Sequence, residues 1–272
     1  MKATGEIELL AVLDGYWPDP YDLPDDPRLI ILHHGEPKGM RACINAAANI
    51  AKGEYLMKAD AHCMFAEGFD ETLKADLDDN WISIPRRHRL DAENWILQDV
   101  GNKPPIDYHY LSCPITNKDG YSMHGAIWPE RTRERMNNPE YDIDDTMSFQ
   151  GSFWCMKTKH FVDFIGGMSE VGYGTFSQEP QEIGNKTWLG GGRIIVNKKT
   201  WYAHLHKGKR YGRGYFISKR EVSDGHLYSA KYWMNNCWSG RVHDIEWLVD
   251  KFSPVPTWPE DWAEKNTQGC PE

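Results

Sequence analysis

Tyr55-Leu56-Met57-Lys58-Ala59-Asp60-Ala61-His62-Cys63 is the stretch on which the reading of this chain turns. It patterns as a short buried strand that ends in an acid, a small residue and a histidine. A carboxylate and an imidazole two residues apart, at the tip of a strand, suit one divalent cation. In open α/β sheets, ligands bind outside the carboxyl ends of the strands. The competing reading is a strand-ending Asp that caps the next turn.

The flanks extend the pattern. Ile7 to Leu13 is a strand-like apolar run closed by Asp14-Gly15, and Pro18, Pro20, Pro24 and Pro27 make the next stretch an irregular loop. Leu29 to Leu32 is a second strand. Gly39 to Ala51 is a helix with Met40, Cys43, Ile44, Ala47, Ile50 and Ala51 on one face, and Gly53 stops it. Strand, loop, strand, helix, strand is an α/β order. Downstream, the expected elements are a helix from about Phe69 to Leu77, a strand Trp81–Pro85, helices over 159–165 and 179–189, and a strand Arg193–Val196. The tail, with Trp233, Trp238, Trp247, Trp258 and Trp262, reads as a packed aromatic cap.

With 272 residues the chain has enough length for a large core. The net charge of −9 argues against global attraction to a polyanion. The six cysteines have neither zinc-ribbon nor redox spacing, so reduced thiols in a cytoplasmic protein are expected. Neither a signal peptide nor a membrane span is apparent.

The segment from Arg41 through Asp60-Ala61-His62-Cys63, followed by Gly68-Phe69, resembles the nucleotide-sugar-binding half of GT-A glycosyltransferases. It is most similar to the polypeptide N-acetylgalactosaminyltransferases. Gly151-Ser152-Phe153-Trp154 and then Phe161 to Gly167 resemble a second block of that family. Phe176-Ser177-Gln178-Glu179-Pro180-Gln181-Glu182, with Trp188 and Gly190-Gly191, resembles a third, and Trp201-Tyr202-Ala203-His204 a fourth. The order and spacing of these blocks are more specific than any one motif.

The resemblance implies a fold, a site and a reaction. The fold is a Rossmann-like mixed sheet flanked by helices, as a catalytic domain over 1–206 with a basic lid loop and cap over 207–272. Such domains open with a strand and helix that no segment before Ile7 supplies, so the usual first strand is expected to be lacking. Asp60, His62 and His204 become ligands of Mn²⁺ or Mg²⁺, with His206 one strand period from His204 as the alternative third ligand. Glu179 matches the acid beside the donor sugar. Pro180 stands where inverting relatives carry an aspartate base, which points to a retaining outcome. Glu182, one turn on, is a further catalytic candidate or a surface acid in an ion pair.

Asp14 is expected at the uracil or ribose of a UDP-sugar, or as a plain turn residue, and Arg41 near base or phosphate, or as a solvated helix residue. Lys207, Arg210 and Tyr211 belong to a basic, Gly-rich stretch with three readings: a lid on the diphosphate, a track for a nucleic-acid acceptor, or a solvated loop. The implied activity is metal-dependent transfer of a hexosyl or N-acetylhexosaminyl group to a hydroxyl on a glycan, a protein or a hydroxymethylated DNA base, the last as in phage enzymes. A non-catalytic binding module and a metal-dependent hydrolase or nucleotidyltransferase stand as alternatives.

Overall fold

The computed structural model describes residues 2–20, 22–98, 104–212 and 216–271; the side chains of Lys209 and Arg210 lie outside the description. Strand β1 (Leu9–Asp14) pairs in parallel with β2 (Leu29–His34). Helix α1 (Met40–Ile50) leads to β3 (Tyr55–Ala59), β4 (Cys63–Phe65) and α2 (Phe69–Ala75). Then come β5 (Trp81–Asp91), β6 (Ile96–Leu97), β7 (His109–Leu111), β8 (Gly125–Ile127), α3 (Pro129–Arg135), β9 (Ile143–Asp145) and β10 (Phe153–Lys157). A π-helical turn (His160–Ile165), α4 (Glu179–Leu189) and β11 (Arg193–His204) complete the part that holds the site. Short α5 (Gly208–Tyr211), α6 (Lys219–Met234), α7 (Ile245–Phe252) and α8 (Trp262–Lys265) come last.

The main sheet runs β3-β10-β5-β11-β4, with β6 on β5 and β9 on β11. It is mixed: β5 and β11 are parallel, while β10 is antiparallel to β3 and β5. Alternation along β10 supplies both faces. Trp154 and Met156 enter the large core with Phe161, Ile183, Trp188 and Ile194, whereas Phe153 and Cys155 pack with Leu73 and Leu77 around α2. The C-terminal helices share the large core: Ile245, Leu248 and Phe252 of α7 are buried in it, and Phe252 meets Trp188 edge-on at 5.4 Å. Each such side chain removed from water contributes about 1.5–3 kcal/mol.

Two strands are longer than their sequence pattern. Pro85 reads as a stop, yet β5 runs through it to Asp91. Its pairing with β10 covers Ile82 and Ser83 only, and Pro85 faces Asn197, where β11 bulges before resuming at Trp201. The missing N–H therefore falls where the ladder is already irregular. The same bulge lets Arg193–Val196 and Trp201–His204 join as one strand.

The β1–β2 pair forms no ladder with the main sheet among the described residues, and β3 ends that sheet's order. The junction is made instead by the bonds of Thr4 N (3.1 Å) and Gly5 N (2.8 Å) to Asp70 of α2 and by side chains of α1. The buried residues of this helix are Arg41 and Ala48, and Ile50 is exposed, so the helix is turned away from the apolar face read in its sequence. Arg41 donates to the carbonyls of Ser169 (2.7 Å) and Ser177 (2.8 Å) and to the carboxylate of Glu182. Glu182 also accepts from Ser169 N (3.0 Å) and from Lys186 (2.8 Å). Asn45 makes a two-way bond with the Met168 backbone. Gly39, at φ 91°, must be glycine because a Cβ would lie 2.4 Å from Thr175 Cβ.

Of the six cysteines, Cys237 and Cys270 form a disulfide that ties the tail to the end of α6. Cys43, Cys63, Cys113 and Cys155 are free, so the expectation of reduced thiols is corrected for one pair. The two partners lie 33 residues apart, and the return of the tail that joins them leaves no local spacing signal.

Glu182→Ala strands the Arg41 guanidinium without its carboxylate. Urea unfolding should show a loss of about 3–5 kcal/mol. The double change Arg41→Met/Glu182→Leu should recover most of it, because a buried pair replaced by apolar groups costs little.

Candidate active site

The turn between β3 and β4 holds the first two residues of the site. Asp60 N donates to Ser152 O at 2.9 Å, which fixes the end of β3 against β10. Antiparallel pairing sets His204, the last residue of β11, opposite Cys63. Leu205 N donates to His62 O at 3.2 Å. The register then delivers the His204 imidazole to the turn. Its Nε2 lies 3.2 Å from Asp60 Oδ2 and 3.0 Å from His62 Nε2, and His62 Nε2 lies 3.8 Å from Asp60 Oδ2. One carboxylate oxygen and two imidazole nitrogens thus converge within the reach of one cation. His206 points elsewhere: its Nε2 accepts from Arg87. Of the two histidines weighed for the third position, His204 is the one in the cluster.

Lys58, two residues before Asp60 and so on the same face of β3, connects the cluster to α4. Its ammonium donates to Asp60 Oδ1 at 2.7 Å and to the Gly151 carbonyl, and lies 3.6 Å from Glu179 Oε2. Trp154 Nε1 donates to Glu179 Oε1 at 2.7 Å. Burial by itself raises Asp60, but the bond from His204 and the charge of Lys58 hold it down at about 2. For Glu179 burial wins, and its carboxyl sits above the usual range despite Lys58 and Trp154. Burial would lower Lys58, yet Glu179 and Asp60 keep it above its ordinary value. Burial and the neighbouring His204 lower His62, so it is a neutral donor near pH 7.

The remaining sequence candidates fall in different places. Arg41 and Glu182 are fully buried against each other, and their partners lie within the fold. Glu182 is therefore neither a solvated surface acid nor exposed to a ligand. Asp14 ends β1 as a turn cap: it accepts from Lys38 N (2.7 Å), Gly39 N (2.8 Å) and His34 Nδ1 (3.1 Å). Those bonds outweigh burial and hold it below the usual range. Cys43 lies beside it, and burial with the Asp14 charge pushes its thiol up to about 12. That trio also has metal-ligand spacing, but its carboxylate is committed to backbone N–H groups and its thiol is protonated. Lys207 precedes α5, and Tyr211 reaches Glu93 Oε1 at 3.5 Å. Arg210's side chain and Arg213 and Tyr215 lie outside the described residues.

Lys58 and Arg87 are the residues that the sequence reading passed over. A lysine inside an apolar strand, two positions before an acid, was the available signal for the first. For the second it was the basic run Arg86-Arg87-His88-Arg89 inside a strand.

The family model "Glycosyl transferase family 2" matches residues 8–150. The chain belongs to glycosyltransferase family 2. Its relatives include "Probable N-acetylgalactosaminyltransferase 8" of Caenorhabditis elegans, 23% identical over 188 residues, covering 68% of this chain and 41% of that protein. "Polypeptide N-acetylgalactosaminyltransferase 5" of the same organism is 24% identical over 208 residues, covering 72% and 30%. The chain thus spans less than half the length of these relatives. The fold is similar to that of GalNAc-T7 solved with UDP, GalNAc and Mn²⁺, at a TM-score of 0.57 and 15% identity over 89% of this chain and 44% of the other. The architecture is thus GT-A. Among the described residues, no helix is long and apolar enough to cross a membrane.

A carboxylate depressed in the folded state contributes stability that is full above about pH 4 and lost as pH falls through its folded value. Asp60, held at about 2, should contribute about 2 kcal/mol in this way. Urea unfolding at pH 4.5 and 2.5 should show that Asp60→Asn abolishes this part of the acid sensitivity.

Proposed function

We propose that this protein transfers a sugar from a UDP-sugar to a hydroxyl acceptor, with a divalent cation held by Asp60, His62 and His204 and with retention at the anomeric carbon. The observation that carries the reading is the convergence of those three donor atoms at 3.0–3.8 Å, joined through Lys58 to Glu179. The donor set fits Mn²⁺: one hard carboxylate and two borderline imidazoles, with no thiolate to favour softer ions. A cation held there would supply positive charge to the departing diphosphate. Family membership and the relatives' names support a UDP-N-acetylhexosamine donor, with UDP-N-acetylgalactosamine the first to test.

The chain's own residues supply the rest. Lys58 holds Asp60 and Glu179 in fixed positions, so little reorganisation accompanies transfer. Glu179, pinned by Trp154, presents negative charge to an anomeric carbon that becomes positive as its bond to phosphate breaks. With Pro180 at the position of a base, and both Glu179 oxygens engaged by Trp154 and Lys58, no carboxylate beside the cluster among the described residues is left to take the acceptor proton. An acceptor hydroxyl attacking from the leaving-group side forms the new C–O bond and passes its proton to the departing phosphate oxygen. That route gives retention. In this reading Asp14, as a turn cap, shapes the loop on the nucleotide side, and Lys207, Arg210 and Tyr211 belong to the segment that closes on the diphosphate. Arg41 and Glu182 hold the module that carries Asp14. The net charge of −9 favours a glycan or protein hydroxyl over DNA.

UDP release from UDP-N-acetylgalactosamine should require Mn²⁺ and fall at least 100-fold in Asp60→Ala and in His62→Ala, with Glu179→Gln similarly impaired at unchanged UDP affinity. Equal rates in wild type and both ligand variants would sink the proposal.

A further inference from the structure

A cleft of about 220 Å³ opens at the end of the main sheet opposite the candidate site. Trp81 opens β5 and Arg193 opens β11, and the two are paired in register. The parallel strands then run on to the pair of Arg89 with His204. At about 3.3 Å per residue, that length of β5 puts the cleft roughly 25 Å from the metal cluster. The end of α4 and the start of α7 close its other side. Val242 N and His243 N both donate to Leu189 O, at 2.7 and 2.9 Å, which holds the segment before α7 against α4. His243 stacks on Trp247 with ring centres 3.9 Å apart. Trp81, His243 and Trp247 are half-buried, so the aromatic walls remain in part open to solvent.

The polar groups of the cleft meet on one carboxylate. Asp145 of β9 accepts from Arg193 Nε and pairs with Lys251 at 2.9 Å. The Arg193 guanidinium lies 4.5 Å above the Trp81 ring, and the Lys251 ammonium 5.1 Å above that of Trp188. A solvated ion pair holds its side chains loosely. Here each cation is laid on an indole, so its donors keep one position. Two cations on one carboxylate leave one positive charge. A guanidinium has five N–H groups, and among the described residues only the Nε of Arg193 is used. The cleft thus offers apolar ring surface beside a fork of donors with net positive charge.

We propose that this cleft binds a single sugar unit that carries an anionic group, a carboxylate or a phosphate. The indoles supply apolar surface for the C–H face of a sugar ring. The Arg193 fork and the Lys251 ammonium supply charged donors to the oxyanion. The volume falls short of the roughly 300 Å³ at which pockets for larger ligands begin, so it suits one ring and excludes a nucleotide or a longer glycan.

Titration of the whole protein with sodium glucuronate and with glucose 6-phosphate tests the proposal. Glucose serves as the ring without the charge, and acetate and inorganic phosphate as the charges without the ring. Binding is read from the indole N–H signals of Trp81 and Trp247 in NMR. At least one anionic sugar should bind about tenfold more tightly than glucose and than its own bare anion, and the one that does so names the anionic group. Arg193→Gln and Trp247→Ala should each weaken that binding about tenfold. Lys251→Gln, at an exposed position, gives the same reading if either of those variants does not fold. A bare anion that binds as tightly as the anionic sugars overturns the proposal, and so does glucose binding as tightly. Unchanged binding in the folded variants, or no binding of any probe, overturns it as well. The titrations need neither metal nor nucleotide, so their failure leaves the transfer reading standing, and its failure leaves theirs.

Discussion

The buried ion pair between Arg41 and Glu182 is the constraint on which the arrangement of this molecule rests. In a sheet protein, neighbouring strands are normally held by their ladders. Among the described residues β1 and β2 share a ladder only with each other, so they are tied to the sheet by the bonds of Lys2, Thr4 and Gly5 to Gly68 and Asp70 at the start of α2 and by α1. That helix turns a guanidinium inward, and the guanidinium is satisfied by two carbonyls and one carboxylate. A charge pair this deep is expensive to desolvate and contributes little net stability. What it contributes is position, since only one placement of α1 meets all of its donors. Asp14 and the turn into α1 take their place from it.

Charge is handled in a similar way at the site. Asp60 and Glu179 come from the turn after β3 and from α4, and like charges brought this close would repel each other. Lys58 lies between them and reconciles the two. Lys58 favours the charged form of both, and burial decides the difference: Asp60, also bonded to His204, is driven down, while the more deeply buried Glu179 is driven up. Two carboxyls with separated proton affinities give one group suited to a cation and another suited to a reacting sugar.

Much of this was legible in the chain because it is local. The strand ending at Asp60, the helix over 179–189 and the aromatic tail follow from periodicity and from glycine stops. The cluster itself was legible only as ordered blocks, since the meeting of His204 with His62 depends on the β4–β11 register. What was not legible has a common cause: polar side chains turned inward. Arg41 and Asn45 lie off the apolar face read for α1, Lys58 interrupts an apolar strand and Arg87 sits in a basic run, so hydrophobic patterning assigns them to solvent. Pro85 was misread for a different reason, because the bulge that accommodates it lies in another strand. The choice between His204 and His206 needed the third dimension, where Arg87 engages the latter.

The central claim is that Asp60, His62 and His204 together hold one divalent cation. Crystals soaked in MnCl₂ and UDP, with diffraction recorded at the manganese edge, test it most directly. The account predicts a single strong anomalous peak bonded to Asp60 Oδ2 and to the Nε2 atoms of His62 and His204. A peak at Asp14, His34 and Cys43 instead, or none at the β3–β4 turn, would contradict it.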